Sequence, residues 1–328
     1  MTRSPDDGRA EAMCRTRRCS TDGIRFLDEM PAAPPSGPKP ASPSPAPRPS
    51  RPKREKPVGV IAFLAVLGIG IALKSGGTAD SVEVREVFED RVEVGASPRV
   101  AVESVDGSIE IGRGAPGEVS YRVEASADGP SEEEARRSLR LIRPVVDRLG
   151  DAVRVRVDRH AAPEGWSGRA TIRLKVPADA QVRILAGNGR VRIKDVVGSI
   201  AAKTTNGRIE VEDAAGPIVL QSTNGSIRCE ATDALVSAET SNGAIVFEGS
   251  LAPGSSRLIS RNGSVTLRLP VGSDVRIDAD SRNGQVDSDF PLVRREDDVA
   301  AALVSHSTEP SRRVALRTAN GAIRVEAD

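Results

Sequence analysis

Aromatic residues are scarce in this chain: they make up 2% of its 328 positions, with one Trp (Trp166) and one Tyr (Tyr121). That scarcity argues against recognition built on stacked rings, such as many sugar sites and single-stranded nucleic-acid platforms. It also calls for a core of Val, Ile, Leu and Ala, which suits narrow β-structure. Histidine is nearly absent. His160 and His306 stand in separate irregular segments, so no Ser-His-Asp grouping can be built on them and both read as solvated loop residues. Cysteine is limited to Cys14, Cys19 and Cys229. Cys14 and Cys19 have no second pair behind them, whereas a zinc site normally needs about four ligands; they read as plain tail cysteines. Net charge is missing too, at 47 Lys+Arg against 46 Asp+Glu, so global charge gives no case for nucleic acid.

The charge that is present is unevenly placed. Residues 1–57 carry 12 basic and 7 acidic residues, a net +5, and residues 74–328 carry 35 and 39, a net −4. Met30 to Pro57 is dense in Pro, Ala and Ser and cannot bury a core. Residues 1–57 are therefore expected to be a disordered, basic cytoplasmic tail. Val58 to Leu73, VGVIAFLAVLGIGIAL, is 16 residues without a charge. That is a little short of the roughly 20 of a full span. Lys74 can snorkel and Pro57 can sit at a first turn, so residues 58–74 are expected to form one transmembrane helix. The rival readings are a core helix, which nothing amphipathic surrounds, and a signal peptide, whose leading region is normally much shorter than this one. Gly77-Thr78-Ala79 is a weak cleavage-like site. Arg48, Arg51, Lys53, Arg54 and Lys56 precede the run, and after Lys74 nothing basic comes until Arg85. The positive-inside rule then puts the N-terminus in the cytoplasm and the C-terminal part outside a bacterial cytoplasmic membrane, with a linker at 75–89.

From residue 90 onward the chain repeats. Asn-Gly occurs at Asn188-Gly189, Asn206-Gly207, Asn224-Gly225, Asn242-Gly243, Asn262-Gly263, Asn283-Gly284 and Asn320-Gly321, and Asp106-Gly107 is an early eighth corner. The first three intervals are each 18, and the later ones are 20, 21 and 37. Three residues after each Asn sit Val191, Ile209, Ile227, Ile245, Val265, Val286 and Ile323, all β-branched. Two further on come Ile193, Val211, Cys229, Phe247, Leu267, Ser288 and Val325. The approach to each corner alternates in the same way: Ile200, Ala202 and Thr204 lead to Asn206, and Ile218, Leu220 and Ser222 lead to Asn224. The Asp106 corner keeps this register with Val100, Val102, Ser104, Ile109 and Ile111. Period-2 alternation on both sides of a turn means two short strands, each with one buried and one wet face. At the corner, Gly takes positive φ freely and Asn tolerates it.

Asn-Gly between apolar runs is ordinarily a hairpin signal, leading to a meander or sandwich. A mainly β, single-stranded parallel β-solenoid, β-helix-like, explains more. The short fixed period fits one coil per repeat, and equivalent positions hold equivalent residues, as stacking requires. The small Ser/Thr and the Asn are expected to form ladders along the axis. Right-handed coiling is the default for parallel crossovers. A left-handed hexapeptide helix would want apolar residues where Lys203 and Gln221 stand. Eight rungs spaced by roughly 4.8 Å make a rod of about 35–40 Å. Residues 112–180 interrupt the pattern with strand-like SYRVEAS, AVRVRV and ATIRLKV and a capping box, Ser131 to Glu134, opening a helix to about Arg143. They are expected to be a small α+β insertion covering the N-terminal end. Asp287 to Arg313 is expected to be a loop. TANGAIRVEAD ends the chain and is expected to leave a strand edge free for self-association.

The run IRLKVPADAQVRILAGNGRVRIKDVVGSIAAKTTNGRIEVEDAAGPIVLQSTNGSI resembles the bacterial putative-adhesin family of β-strand-repeat proteins, a domain of unknown function. VPADAQV before the first Asn-Gly corner, the serial T/S-x-N-G-x-I corners and the G-x-I between them carry the likeness, which spans about residues 90–328. It implies a repetitive β fold and supplies no catalytic residues. Family members often carry an N-terminal tail and one span, and some resemble envelope-stress accessory proteins.

No catalytic, cofactor-binding or metal residue is assigned from the sequence. Glu210 aligns with Arg192, Arg228 and Val246, which reads as a solvated face with cross-rung charge pairs. Asp278, Asp280, Asp287 and Asp289 cluster around the 283 corner and read as a loose acidic turn rather than a Ca²⁺ site. GRGAPGE at 112–118 is Gly-rich, but no helix follows to hold a phosphate, so it reads as a loop. The expectation is a non-enzymatic, membrane-anchored envelope protein whose solenoid is an adhesive or binding surface. Its expected partners are the membrane, envelope components or a second copy, with no nucleic acid and no small-molecule substrate. The alternative is an envelope-stress sensing or regulatory accessory protein signalling through its cytoplasmic tail. In that case deleting residues 1–50 abolishes the phenotype and spares exterior binding. A degraded glycan hydrolase or lyase would have to show turnover lost with a single Asp change.

Overall fold

Alternating strands around a corner can close on themselves as hairpins or on their neighbours as coils, and register separates the two. The computed structural model describes residues 65–74, 81–159, 168–294, 301–303 and 311–328, all of them in the unit Pro57–Asp328. Its repeats pair in parallel. Asn206 stands between Asn188 and Asn224, and Ile209 between Val191 and Ile227. Each coil is therefore one rung. The strands before the corners stack on one side, the strands after the corners stack on the other, and a thin core lies between. The coil turns back through a second corner, and the strand Ile209–Asn224 runs through one such turn without a break.

The inward positions are filled as the pattern requires. Ile184, Ala202, Leu220, Ala238, Leu258, Leu316 and Ala279 form one buried file, and Val191, Ile209, Ile227, Ile245, Val265, Ile323 and Val286 form the facing one. Each fully buried aliphatic side chain of this size contributes about 1.5–3 kcal/mol. Of the two residues five after the Asn that are not aliphatic or aromatic, Cys229 is buried and Ser288 is half-buried.

The ends of the stack depart from a simple coil. Ala152–Arg159 and Arg169–Val176 form a further rung that has no Asn-Gly corner and lies against the Asp106 rung. Part of the 112–180 segment thus extends the solenoid itself. The rest caps it with antiparallel strands: Ile142–Leu149 on one side, Glu118–Gly129 on the other. The helix is Glu132–Leu139, shorter than expected; the Ser131 side chain accepts the Glu134 N–H at 3.3 Å, and Ala135 and Leu139 are buried. The expected linker at 75–89 is largely a strand instead. Ser81–Glu93 pairs along its whole length with Glu118–Gly129 and buries Val84 and Val92, because its own alternation continues the sheet.

The apolar run also differs from expectation. Ala65–Lys74 is a strand, antiparallel to Ser81–Glu93 through nine paired positions. Gly68 and Gly70 weaken a helix, and Val66, Ile69 and Ile71 favour a strand. Among the described residues no helix is long and apolar enough to cross a membrane. Residues 58–64, like the tail before them, lie outside the described residues.

At the C-terminal end the order of rungs is not the order of sequence. Arg312–Asn320 and Ile323–Ala327 insert between the Asn262 and Asn283 rungs, pairing with both. The expected free edge at TANGAIRVEAD is therefore occupied on both sides. The outer rung is that of Asn283, whose Val286–Ser288 strand has one parallel neighbour among the described residues.

Candidate binding surface

The corners form a continuous ridge. Asn283 donates its side-chain amide to Asn320, Asn320 to Asn262, and so on through Asn242, Asn224, Asn206 and Asn188, at 2.7–2.9 Å per step. Asn188 ends the series by donating to the Asp106 carboxylate at 2.6 Å. Asp suits that last place because an ionised carboxylate only accepts. Ser or Thr stands two residues before every corner but that of Asn188, which has Ala186; these residues stack in register. Thr240, Ser260, Thr318 and Ser281 donate to the backbone carbonyls of Gly225, Gly243, Gly263 and Gly321 at 2.8–3.0 Å. These hydroxyls are buried, so satisfying them from the neighbouring corner avoids a desolvation cost of about 1–3 kcal/mol each. The corner residues Asp106, Gly107, Asn188, Gly189, Asn206, Gly207, Asn224, Gly225, Asn242, Gly243, Asn262, Gly263, Asn283, Gly284, Asn320 and Gly321 thus all lie on one edge of the rack.

The second corner was not read from the sequence. Asp195, Asp213 and Asp233 occupy it with φ of 57, 51 and 47°. The signal was available: Asp is among the residues that visit this region, and Asp195 and Asp213 are one period apart.

The outer face after the corners carries the charge pairs that the sequence suggested, along different lines. Arg192, Glu210 and Arg228 are in register. Their ion pairs run elsewhere: diagonally to the next rung from Arg192 to Glu212 at 2.7 Å and from Arg228 to Glu248 at 3.2 Å, and within one rung from Glu210 to Arg208 at 3.3 Å. Arg268 bridges Glu248 and Glu326. Exposed pairs of this kind contribute about 0.2–1 kcal/mol each; they pair several cations on this face, while Arg324 has no carboxylate at ion-pair distance among the described residues.

Chemistry-bearing residues do not converge. Asp278 pairs with Arg276, Asp289 accepts the Ala327 N–H, and Asp280 and Asp287 lie on opposite sides of the coil. No group of three or more His, Cys, Asp or Glu among the described residues is placed to hold a metal ion. Gly112 to Glu118 forms the turn into Glu118–Gly129, tied by the Gly114 N–H to the Val176 carbonyl at 2.7 Å. Cys14, Cys19, His160, Trp166 and His306 lie outside the described residues.

Three buried titratable groups stand out. Burial pushes the Cys229 thiol up to about 12. In a Cys14→Ser/Cys19→Ser chain, an aromatic disulfide reagent at pH 8 is expected to label no thiol in the native state and one in denaturant; native labelling would show that the rung opens. Burial and the Asp90 charge push Tyr121 to about 12 as well, and its hydroxyl has no hydrogen-bond partner among the described residues. Glu83 is 7% exposed in the cap. Burial raises its carboxyl, but hydrogen bonds from Arg169 at 3.0 Å and Arg85 at 3.4 Å outweigh this and hold it below 4.5. A lowered carboxylate stabilises the fold above its unfolded value, and that stability is lost as pH falls through the folded value. Glu83→Gln is therefore expected to lower Tm at pH 7 and to flatten the fall in Tm below pH 4.5. Parallel Tm–pH curves for the two chains would rule this out.

A stack of flat parallel rungs, with two outer faces and a corner ridge, defines a rack-like β-repeat domain. Residues 172–326 match the family described as Toastrack DUF4097, a domain of unknown function. The match takes in all seven Asn-Gly corners and leaves out the Asp106 rung and most of the cap. Among solved structures, a putative cell adhesion protein from Clostridium sporogenes is similar at 11% identity, covering 73% of this chain and 99% of that one, with a TM-score of 0.33. A putative adhesin from Bacteroides fragilis is similar at 11% identity, covering 73% of this chain and 96% of that one, with a TM-score of 0.35. None of the curated proteins compared with the chain matches it.

Proposed function

We propose that this is a non-enzymatic, membrane-anchored envelope protein whose right-handed rack is a binding or adhesive surface outside the cytoplasmic membrane. The observation that carries the reading is the periodic exterior. Outward positions recur from rung to rung in register along the strands, with bulges between Val211 and Gly216, and evenly spaced positions suit a ligand with evenly spaced groups. Anchoring is supported by the uncharged run 58–73 and the basic residues before it. That run overlaps the Ala65–Lys74 strand, so the same segment has two claimants, the sheet edge and the bilayer.

Two measurements test the reading. The full chain, held in mild detergent, is mixed with isolated cell envelope and with peptidoglycan, beside a self-pelleting control. Saturable co-sedimentation is expected; its absence would remove the binding role. Carbonate extraction of membranes from cells expressing the chain is expected to leave it in the pellet. Release into the supernatant would assign Ala65–Lys74 to the sheet and remove the anchor.

A further inference from the structure

One part of the outer surface gathers arginines. On the face before the corners, Arg261, Arg317 and Arg282 come from three consecutive rungs, those of Asn262, Asn320 and Asn283. Arg261 and Arg282 directly precede their Asn, and the rung between them has Ala319 at that place. The file thus reads Arg, Ala, Arg, with the two arginines two rungs or roughly 9.6 Å apart. Arg317 sits two residues before Ala319, flanked by Ile259 and Asp280. The three arginines border a groove of about 580 Å³ that Ala319 also lines, with Ser241 one rung beyond Arg261. All three arginines are exposed, and among the described residues none of them has a carboxylate at ion-pair distance. The contrast is with Arg192, Arg228 and Arg268 on the other face, all of them paired.

Glu239 and Asp280 also line the groove. They offset part of the arginine charge and leave the lining at +1, and among the described residues neither stands at ion-pair distance from an arginine. A simple anion would leave them idle. A ligand with both anionic groups and hydroxyls would use every wall: guanidinium forks take the anion in paired hydrogen bonds, and carboxylates accept from hydroxyls. No aromatic ring lines the groove, so polar contacts must supply the recognition.

We propose that this groove binds a hydroxyl-rich polyanion of the polyol-phosphate class. One phosphodiester lies across Ala319 between Arg261 and Arg282, with Arg317 as a third donor. Neighbouring polyol hydroxyls reach Glu239 and Asp280. The inference rests on the binding-surface reading and gives it a place and a ligand class.

The test titrates the full chain in mild detergent with poly(glycerol phosphate), inorganic polyphosphate and neutral dextran. Two triple variants with equal charge change are compared, Arg261→Gln/Arg282→Gln/Arg317→Gln and Arg192→Gln/Arg228→Gln/Arg268→Gln. The groove variant is expected to lose about tenfold or more in affinity for poly(glycerol phosphate), and the other face about twofold or less, since only the groove arginines contact the ligand. Asp280→Asn is expected to weaken poly(glycerol phosphate) but not polyphosphate. Equal losses in the two triples, or no loss in either, overturn the site. Dextran binding as tight as that of poly(glycerol phosphate) overturns the anion. Preference for phosphatidylglycerol vesicles over the soluble polymer overturns the polymer. Should the groove triple fail to fold, Ala319→Glu, which puts opposing charge between the arginines, is expected to give the same loss. Envelope co-sedimentation that persists in the groove variant sinks the inference and leaves the binding surface standing.

Discussion

Ending the chain at Ser311 is expected to release the Asn283 rung as well as remove that of Asn320, because the strands removed are internal to the stack. Arg312–Asn320 and Ile323–Ala327 bury Val314, Leu316, Ile323 and Val325 at 1% exposure or less. Each such side chain is worth about 1.5–3 kcal/mol. Without them Arg276–Asn283 and Val286–Ser288 lose their parallel partner, and Leu258 and Leu267 lose their cover. Stability in a stacked repeat is largely the sum of neighbour interfaces, so the damage should stay at that end. Hydrogen exchange is the measure. Residues 276–288 are expected to exchange as fast as a loop, while those around Asn206 keep their protection. Retained protection at 276–288 would mean that the inserted rung carries little of the load.

Gly207→Ala should be among the most damaging single methyl additions in the described residues. A Cβ there would lie 1.8 Å from the Gly189 carbonyl oxygen and 2.7 Å from its carbon, both backbone atoms. The rungs cannot separate to admit it, because the Gly189 N–H donates to the Asn206 carbonyl at 2.9 Å and the Asn206 amide to the Asn188 side chain at 2.8 Å. Overpacking without room to relax costs about 3 kcal/mol or more, which in a domain of this size lowers Tm by roughly 6–12 °C. Gly112→Ala is the control. Nothing lies within 4 Å of its added Cβ, and a change of about 0.5 kcal/mol or less is expected. Calorimetry on both chains decides it, and a similar Tm for the two would show that corner packing is not what demands glycine.

The corner glycines also show how far the sequence could be read. Their spacing and the alternation around them were enough to place nearly every inward side chain, since period-2 burial follows directly from strand geometry. Their reason for being glycine was only half legible. Positive φ explains Gly189 and Gly243, but Gly207, Gly225 and Gly284 lie outside that region and are excluded from other identities by the carbonyl of the rung beside them. Such closeness belongs to the assembled stack and has no local signature. The same holds for the Asn320 rung: its sequence announces a rung but not its slot between Asn262 and Asn283. The 37-residue interval before it was the one hint that the chain leaves the stack and returns. Ala65–Lys74 was legible only as an apolar run, because hydropathy alone does not separate a short span from a sheet-edge strand. The groove was hidden because Arg261, Arg282 and Arg317 are scattered along the chain and meet only through that reordered stacking.

The inserted rung has a mechanical meaning. Were the last strands outermost, a pull on the C-terminus would peel them away one hydrogen bond at a time, like a zipper. Here Ile323–Ala327 is gripped on both flanks, by Val265–Leu269 and by Val286–Ser288. A tug at Asp328 therefore loads two rows of bonds in shear together. The outermost rung, Arg276–Ser288, is held in place by chain that has passed it and come back. The rack closes like a clasp, with its free end tucked beneath the final turn.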